Sequence, residues 1–279
     1  MVYVDSLEKA ATKGTTYLDC FRGTNGRRTE LACIAWVADA ICGAVLGGLT
    51  VSLYSKAGIS FRIQVSVRLG FSILALATTI TTWFIMNKIG RKSLLLGGVC
   101  AAMTTLLVAG LLGIPKDLSD TGAIVAGTLL MVLSVIGSII SPVIYTIVAE
   151  IPSTRLRIKT IALARGAYHI ANAGLVATIT EKQLDRRGWN WGLKSCLFWA
   201  GINLILAIYI HLRLPETKGR TYAELSILFE NKVPARKFKA AQVGPIKFSN
   251  GHGRDDLAIR IANTSALEYQ TRNLATMTA

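Results

Sequence analysis

The sequence predicts an all-α fold: a polytopic membrane helical bundle of six transmembrane helices. Three observations predict it. Of 279 residues, 52% are hydrophobic and only 17% are charged, against about 45–50% and about 25% in soluble chains. Apolar runs of the length that crosses a bilayer as a helix, roughly 20 residues, recur six times. The basic residues gather in short clusters between those runs, where charge sets membrane orientation. The mean hydropathy of +0.46 agrees.

Residues 1–30 read as a polar cytoplasmic lead, 31–214 as the membrane domain and 215–279 as a cytoplasmic tail. The lead has no apolar stretch of signal-peptide type, so no signal peptide is expected. The first run, 31–54, carries Gly43, Gly47 and Gly48 at a spacing that lets helices approach closely. Asp39 lies well inside it. A carboxylate there is a site residue, is protonated, or is paired with a cation.

The second run, 67–86, begins with Arg68, whose long side chain can reach the interface. Its threonines (78, 79, 81 and 82) can bond back to carbonyls of their own helix. A basic turn, Asn87 to Lys92, leads into the third run, 93–114, and Pro115, Lys116, Asp117 and Asp120 form the next loop. The fourth run, 122–148, contains Pro142, which lacks an N–H and should kink the helix. The fifth is 160–180. Trp189 and Trp191 then suit an interfacial anchor beside Arg186 and Arg187. The sixth, 193–212, ends at His211, Arg213 and Pro215.

Counting Lys and Arg gives the orientation. One side holds Arg22, Arg27 and Arg28, then Lys88, Arg91 and Lys92, then Arg155, Arg157 and Lys159, then Arg213, Lys218 and Arg220. The other side is poorer or offset by carboxylates, so both termini are expected in the cytoplasm. The sequon Asn263-Thr-Ser would then stay unmodified. The net charge of +15 would suit nucleic acid, but its placement between apolar runs favours lipid contact instead.

The stretch Ser141–Asn172 is the most informative. Glu150 ends the fourth run, where the helix dipole disfavours an anion, so it should need a cation. Arg155, Arg157 and Arg91 lie on the same predicted side. An ion-pair latch of Glu150 with these arginines is expected there. Ordinary interfacial charges are the alternative. In the fifth run Arg165, His169 and Asn172 follow at spacings that share one helix face. Such a polar stripe lines a cavity, or else serves interhelical hydrogen bonds and snorkelling. His169 can titrate near neutral pH.

No P-loop, GxSxG, HExxH or CxxC is present, so no enzyme is expected. His169, His211 and His252 are too scattered for a metal site, and no cofactor is expected. The five cysteines read as small buried hydrophobes.

Four signatures stand in order: Asn87-x-x-Gly90-Arg91-Lys92, Glu150 followed by Arg157, Trp189-Asn-Trp-Gly-x-Lys194, and Pro215-Glu-Thr-Lys-Gly-Arg-Thr221. This order resembles the carboxyl-terminal half of a sugar porter of the major facilitator superfamily. The tryptophan motif and the lead Thr16–Arg22 are most similar to fungal maltose and α-glucoside permeases. The chain departs from that pattern at Asp39 and Ala40, where relatives carry amides. It departs again at His169, where they carry Asn, and at Asn87, where many carry Asp.

The resemblance implies one half of a major-facilitator fold in the plasma membrane, with its first six spans missing. It implies transport of a sugar or other small polar solute with protons, contacted by Asn172, His169, Tyr145 and Asp39. The cavity would be completed by an amino-terminal half or a self-dimer. The other reading is a truncated, non-transporting membrane protein, or a sensor-like interaction protein using its basic tail.

Overall fold

A computed structural model describes residues 16–42, 46–115, 119–153, 155–185, 188–231, 233–235 and 238. Gly43, Lys116, Asp117, Arg186, Arg187, His252 and the Asn263 sequon lie outside the described residues. Among the described residues every regular element is helical.

A short 3-10 turn, Tyr17–Phe21, precedes α1 (Gly23–Cys42). Next come α2 (Gly47–Lys56), α3 (Phe61–Ile89), α4 (Arg91–Leu112) and α5 (Asp120–Glu150). The fifth predicted span is α6 (Arg157–His169), a π-helical stretch (Ile170–Ala177) and α7 (Thr178–Leu184). The last elements are α8 (Ser195–Arg213) and α9 (Tyr222–Glu230). The ends have local causes. Ser119 caps α5, its hydroxyl accepting from Gly122 N–H at 3.1 Å. Thr221 and Glu224 form a capping box that starts α9.

Among the described residues, four helices are long and apolar enough to cross a membrane: α3, α4, α5 and the helix Gly192–Arg213 that contains α8. The first and fifth predicted spans are not single α-helices. The first is divided, α1 ending at Cys42 and α2 starting at Gly47; Gly47 and Gly48 have little tendency to continue a helix. The fifth changes to π geometry at Ile170, which shifts the register beyond it.

Two buried clusters hold the bundle. One joins α1, α4, α5 and α8 through residues such as Trp36, Leu95, Ile144 and Ile210. The other joins α2, α4, α5 and α8 through Leu49, Leu106, Leu130 and Trp199. At Gly110 the α4–α8 approach is so close that a Cβ would lie 2.7 Å from the Leu197 side chain. By contrast α3 leaves Leu69, Ile73, Leu76 and Phe84 exposed, an apolar face suited to lipid.

Pro142 lies inside α5 rather than near an end of it. With no N–H at Pro142, the Ser138 carbonyl loses its helical donor. Thr79 of α3 stands in, its hydroxyl 3.2 Å from that carbonyl and 2.9 Å from its own Ala75 carbonyl. Thr78 and Ser138 hydroxyls meet at 2.8 Å. Two of the threonines expected to bond back to their own helix therefore also tie α3 to α5.

The folded bundle extends past the apolar runs at both ends. α1 begins at Gly23, inside the predicted lead, and Arg28 is buried. Leu225, Leu228, Phe229 and Phe238 belong to the same core as Trp36 and Ile144. The start of the predicted tail is thus part of the folded bundle.

Candidate functional site

Chemistry concentrates in two places. The first is at the end of the bundle where α3 and α5 finish and α4 begins. Glu150 ends α5 there, and its Oε1 accepts from the Arg91 guanidinium at 3.1 Å. Both side chains are largely buried. The other carboxylate oxygen accepts from the Thr217 hydroxyl at 2.5 Å. The cation that the dipole argument requires for Glu150 is thus Arg91, a residue 59 positions away. Arg157 instead stacks on Tyr222 of α9, 4.2 Å from the ring centre, and its Nε and one Nη are buried without partners. Arg155 is exposed and joins none of the described ion pairs.

The segment after α8 supplies what the charge pattern did not suggest. Glu216 accepts from the Arg91 backbone N–H at 3.0 Å and from Lys218 N–H at 3.2 Å. Its carboxylate therefore sits at the positive end of α4. Gly90 has φ 101° and leaves the space this needs, since a Cβ there would stand 2.8 Å from the Glu216 carboxylate. The Lys218 ammonium meets the Lys88 carbonyl at the carboxyl end of α3. Glu216, Thr217 and Lys218 together bind the ends of three helices, each with the charge the helix dipole favours or with a hydroxyl. Nearby, Glu30 of α1 accepts from Tyr209 at 2.6 Å and Arg213 at 3.1 Å of α8.

The second place is inside the bundle, where α1, α5 and α6 meet. The Arg165 guanidinium lies over two aromatic faces that themselves meet edge-on, 4.4 Å from the Trp36 centroid and 4.6 Å from that of Tyr168. Trp36 meets Tyr145 edge-on at 4.6 Å and Tyr168 at 5.5 Å. One turn along α1, Asp39 accepts from Ser141 of α5 and lies in the field of Arg165. A carboxylate, a cation and three aromatic rings thus converge in a helical bundle, where polar groups need such partners.

The structure brings Asp39 and Tyr145 into this cluster directly. His169 is exposed and touches it only through the edge of Tyr168 at 5.2 Å. Asn172 is half-buried on the π stretch and has no hydrogen-bond partner among the described residues. Sequence reasoning gave Arg165 no ring partners and passed over Trp36 and Ser141. The spacing Trp36–Asp39 and Arg165–Tyr168, each one helical turn, was the available signal.

A helical membrane bundle with a charge-tied end and a carboxylate–arginine–aromatic cluster inside it has the build of a solute transporter. The chain belongs to the family described as "Sugar (and other) transporter", whose model matches residues 2–229. It is 38% identical to the general alpha-glucoside permease of Saccharomyces cerevisiae over 268 residues, which is 95% of this chain and 43% of the permease. It is 39% identical to a maltose permease of the same yeast over 246 residues, 87% of this chain and 39% of the relative. An alpha-glucosides permease is 33% identical over 251 residues, 89% of this chain and 41% of the relative. The chain spans less than half the length of these relatives.

Proposed function

We propose that this chain is the six-span carboxyl-terminal unit of a sugar/proton symporter of the plasma membrane. The observation that carries the reading is the Asp39–Ser141 and Arg165–Trp36–Tyr168 cluster, on helices that leave Tyr145 and His169 open on one face. The two divided spans, α1–α2 and α6–α7, count as crossings alongside α3, α4, α5 and α8. Broken helices are where transporters of this kind place their sites. Both termini face the cytosol, so the Glu150 end is the cytoplasmic end.

Within this reading Asp39, Tyr145, His169 and Asn172 contact an α-glucoside or another small polar solute. The substrate class is supported by the α-glucoside and maltose permeases among the relatives. Asp39, the one carboxylate of the cluster, carries the coupling proton. Alternating access needs a second half to rock against. That half is an amino-terminal six-span unit or a second copy of this one. Arg91 and Glu150 form the closed cytoplasmic latch, and Arg155 and Arg157 exchange into it as the helices move.

The test is uptake of radiolabelled maltose in a yeast lacking its own α-glucoside transporters. The chain is produced alone and with an amino-terminal half. Proton-dependent uptake that appears with a complementary half and is lost in Asp39→Asn is expected. Absence of uptake in every combination would reject transport and leave a non-transporting membrane protein.

A further inference from the structure

A cavity of about 580 Å³ opens at the same end of the bundle, away from the Glu150 latch. Its walls are the first turn of α1, the loop from α5 to α6, and one face of α9. Its volume falls within the range of small-molecule sites, roughly 300–1,000 Å³. Three arginines line it: Arg22, Arg28 and Arg155.

Arg28 is the unusual member. It is 3% exposed. Its guanidinium donates to the Ser226 carbonyl at 3.2 Å and reaches the Ser226 hydroxyl at 3.4 Å. Its carbon lies 4.8 Å from the centre of the Phe229 ring. The Nε has no partner among the described residues. A buried cation with only neutral hydrogen-bond partners and a spare N–H is costly, and an anion would offset that cost.

Two carboxylates also line the cavity, Asp19 and Glu230. Asp19 is already engaged. It accepts from Thr16 N–H at 2.7 Å and the Thr16 hydroxyl at 2.9 Å, and pairs with Arg22 at 3.6 Å. Those hydrogen bonds hold its pKa below the usual carboxylate range. Glu230 is exposed and joins no described ion pair, so it acts on Arg28 only through its field, which does not outweigh the burial of that guanidinium. Net positive charge remains, and the positive end of the α1 dipole adds to it. Ser153, Ser226 and Thr24 contribute hydroxyls to the lining. The space exceeds what a bare phosphate fills, so the hydroxyls suit the body of a polyol and the arginines its phosphate.

We propose that this cavity binds the phosphomonoester of a phosphorylated polyol, holding α9 against α1 and the α5–α6 loop. The ligand chemistry is shared by a soluble sugar phosphate and by an inositol phospholipid headgroup.

The test uses the purified full chain in phosphate-free buffer at constant ionic strength. One arm titrates glucose 6-phosphate by calorimetry, with inorganic phosphate beside it. The other compares phosphatidylcholine nanodiscs with and without phosphatidylinositol 4-phosphate, reading thermal stability. Binding in the first arm identifies a soluble ligand, and stabilisation in the second alone identifies the lipid. The double variant Arg22→Gln/Arg155→Gln changes exposed residues and should keep the unliganded melting temperature. It should weaken binding by at least about tenfold, as loss of charge-assisted contacts predicts. No response in either arm, or equal binding by the double variant, would overturn the proposal. The measurement needs no transport, so its failure would leave the symporter reading untouched.

Discussion

At the scale of single residues, the partner of a charge matters more than its sign. Arg91 and Arg155 looked equivalent as neighbours of Glu150, yet only Arg91 reaches it. Arg91→Ala leaves a largely buried carboxylate with Thr217 alone and should cost about 1–3 kcal/mol. Arg155→Ala should stay within about 0.5 kcal/mol, as surface changes do. Thermal denaturation in detergent, compared for the two variants, checks this order. Gly90 offers a sharper case. At φ 101° and ψ 155° an alanine enters a backbone region essentially reserved for glycine, at a cost of roughly 1–3 kcal/mol, and its Cβ would displace the Glu216 carboxylate from α4. Gly90→Ala should therefore lower the melting temperature, whereas Gly97→Ala should not, because a Cβ there meets no atom within 4 Å. The basic turn was legible as a motif. That its glycine makes room for a carboxylate 126 positions later was not, because nothing local to the turn records it.

Between elements, the α3–α5 contact shows how a helix defect is repaired from outside. Thr79 lies beside the carbonyl that Pro142 deprives of its donor. Thr79→Val should cost about 0.5–1.5 kcal/mol, the value of a typical hydrogen bond. In a Pro142→Ala background the backbone N–H returns, and the same substitution should cost less. A double-mutant cycle measures that coupling, and a coupling near zero would remove the repair account. The proline and its consequence for one helix could be read directly. The helix that answers it could not, since four threonines of α3 offer the same hydroxyl. The π stretch escaped the sequence reading for a related reason. Its residues, Ile170 to Ala177, are mostly apolar, and the Asn172 and Gly174 among them do not by themselves specify a π turn. The widened geometry carries no composition of its own.

For the molecule as a whole, the described start of the tail, as far as Phe238, is a structural member. Phe229 is 1% exposed and beneath Arg28, so Phe229→Ala should cost about 3–5 kcal/mol, as large core truncations do. Loss of stability in the purified variant, with membrane insertion retained, is the expected result. With both termini cytoplasmic, an epitope placed after Ala279 should be reached by antibody only in permeabilised cells. The sequence alone determined the helical class, the membrane habitat, the family and the charge-rich end. Those properties are sums over neighbouring residues, in hydropathy, periodicity and motif order, and neighbours are what a chain displays. Only the tertiary structure decided that Glu150 takes Arg91 and Thr217, and that Arg165 of α6 lies over Trp36 of α1. It also decided that Phe238 closes the core. The pairings of Glu150 with Arg91 and Thr217, and of Arg165 with Trp36, join residues far apart in the chain, and a hydrogen bond or ring contact falls off within a few ångströms. Only the packed distances between helices can select one partner from several of equal chemistry.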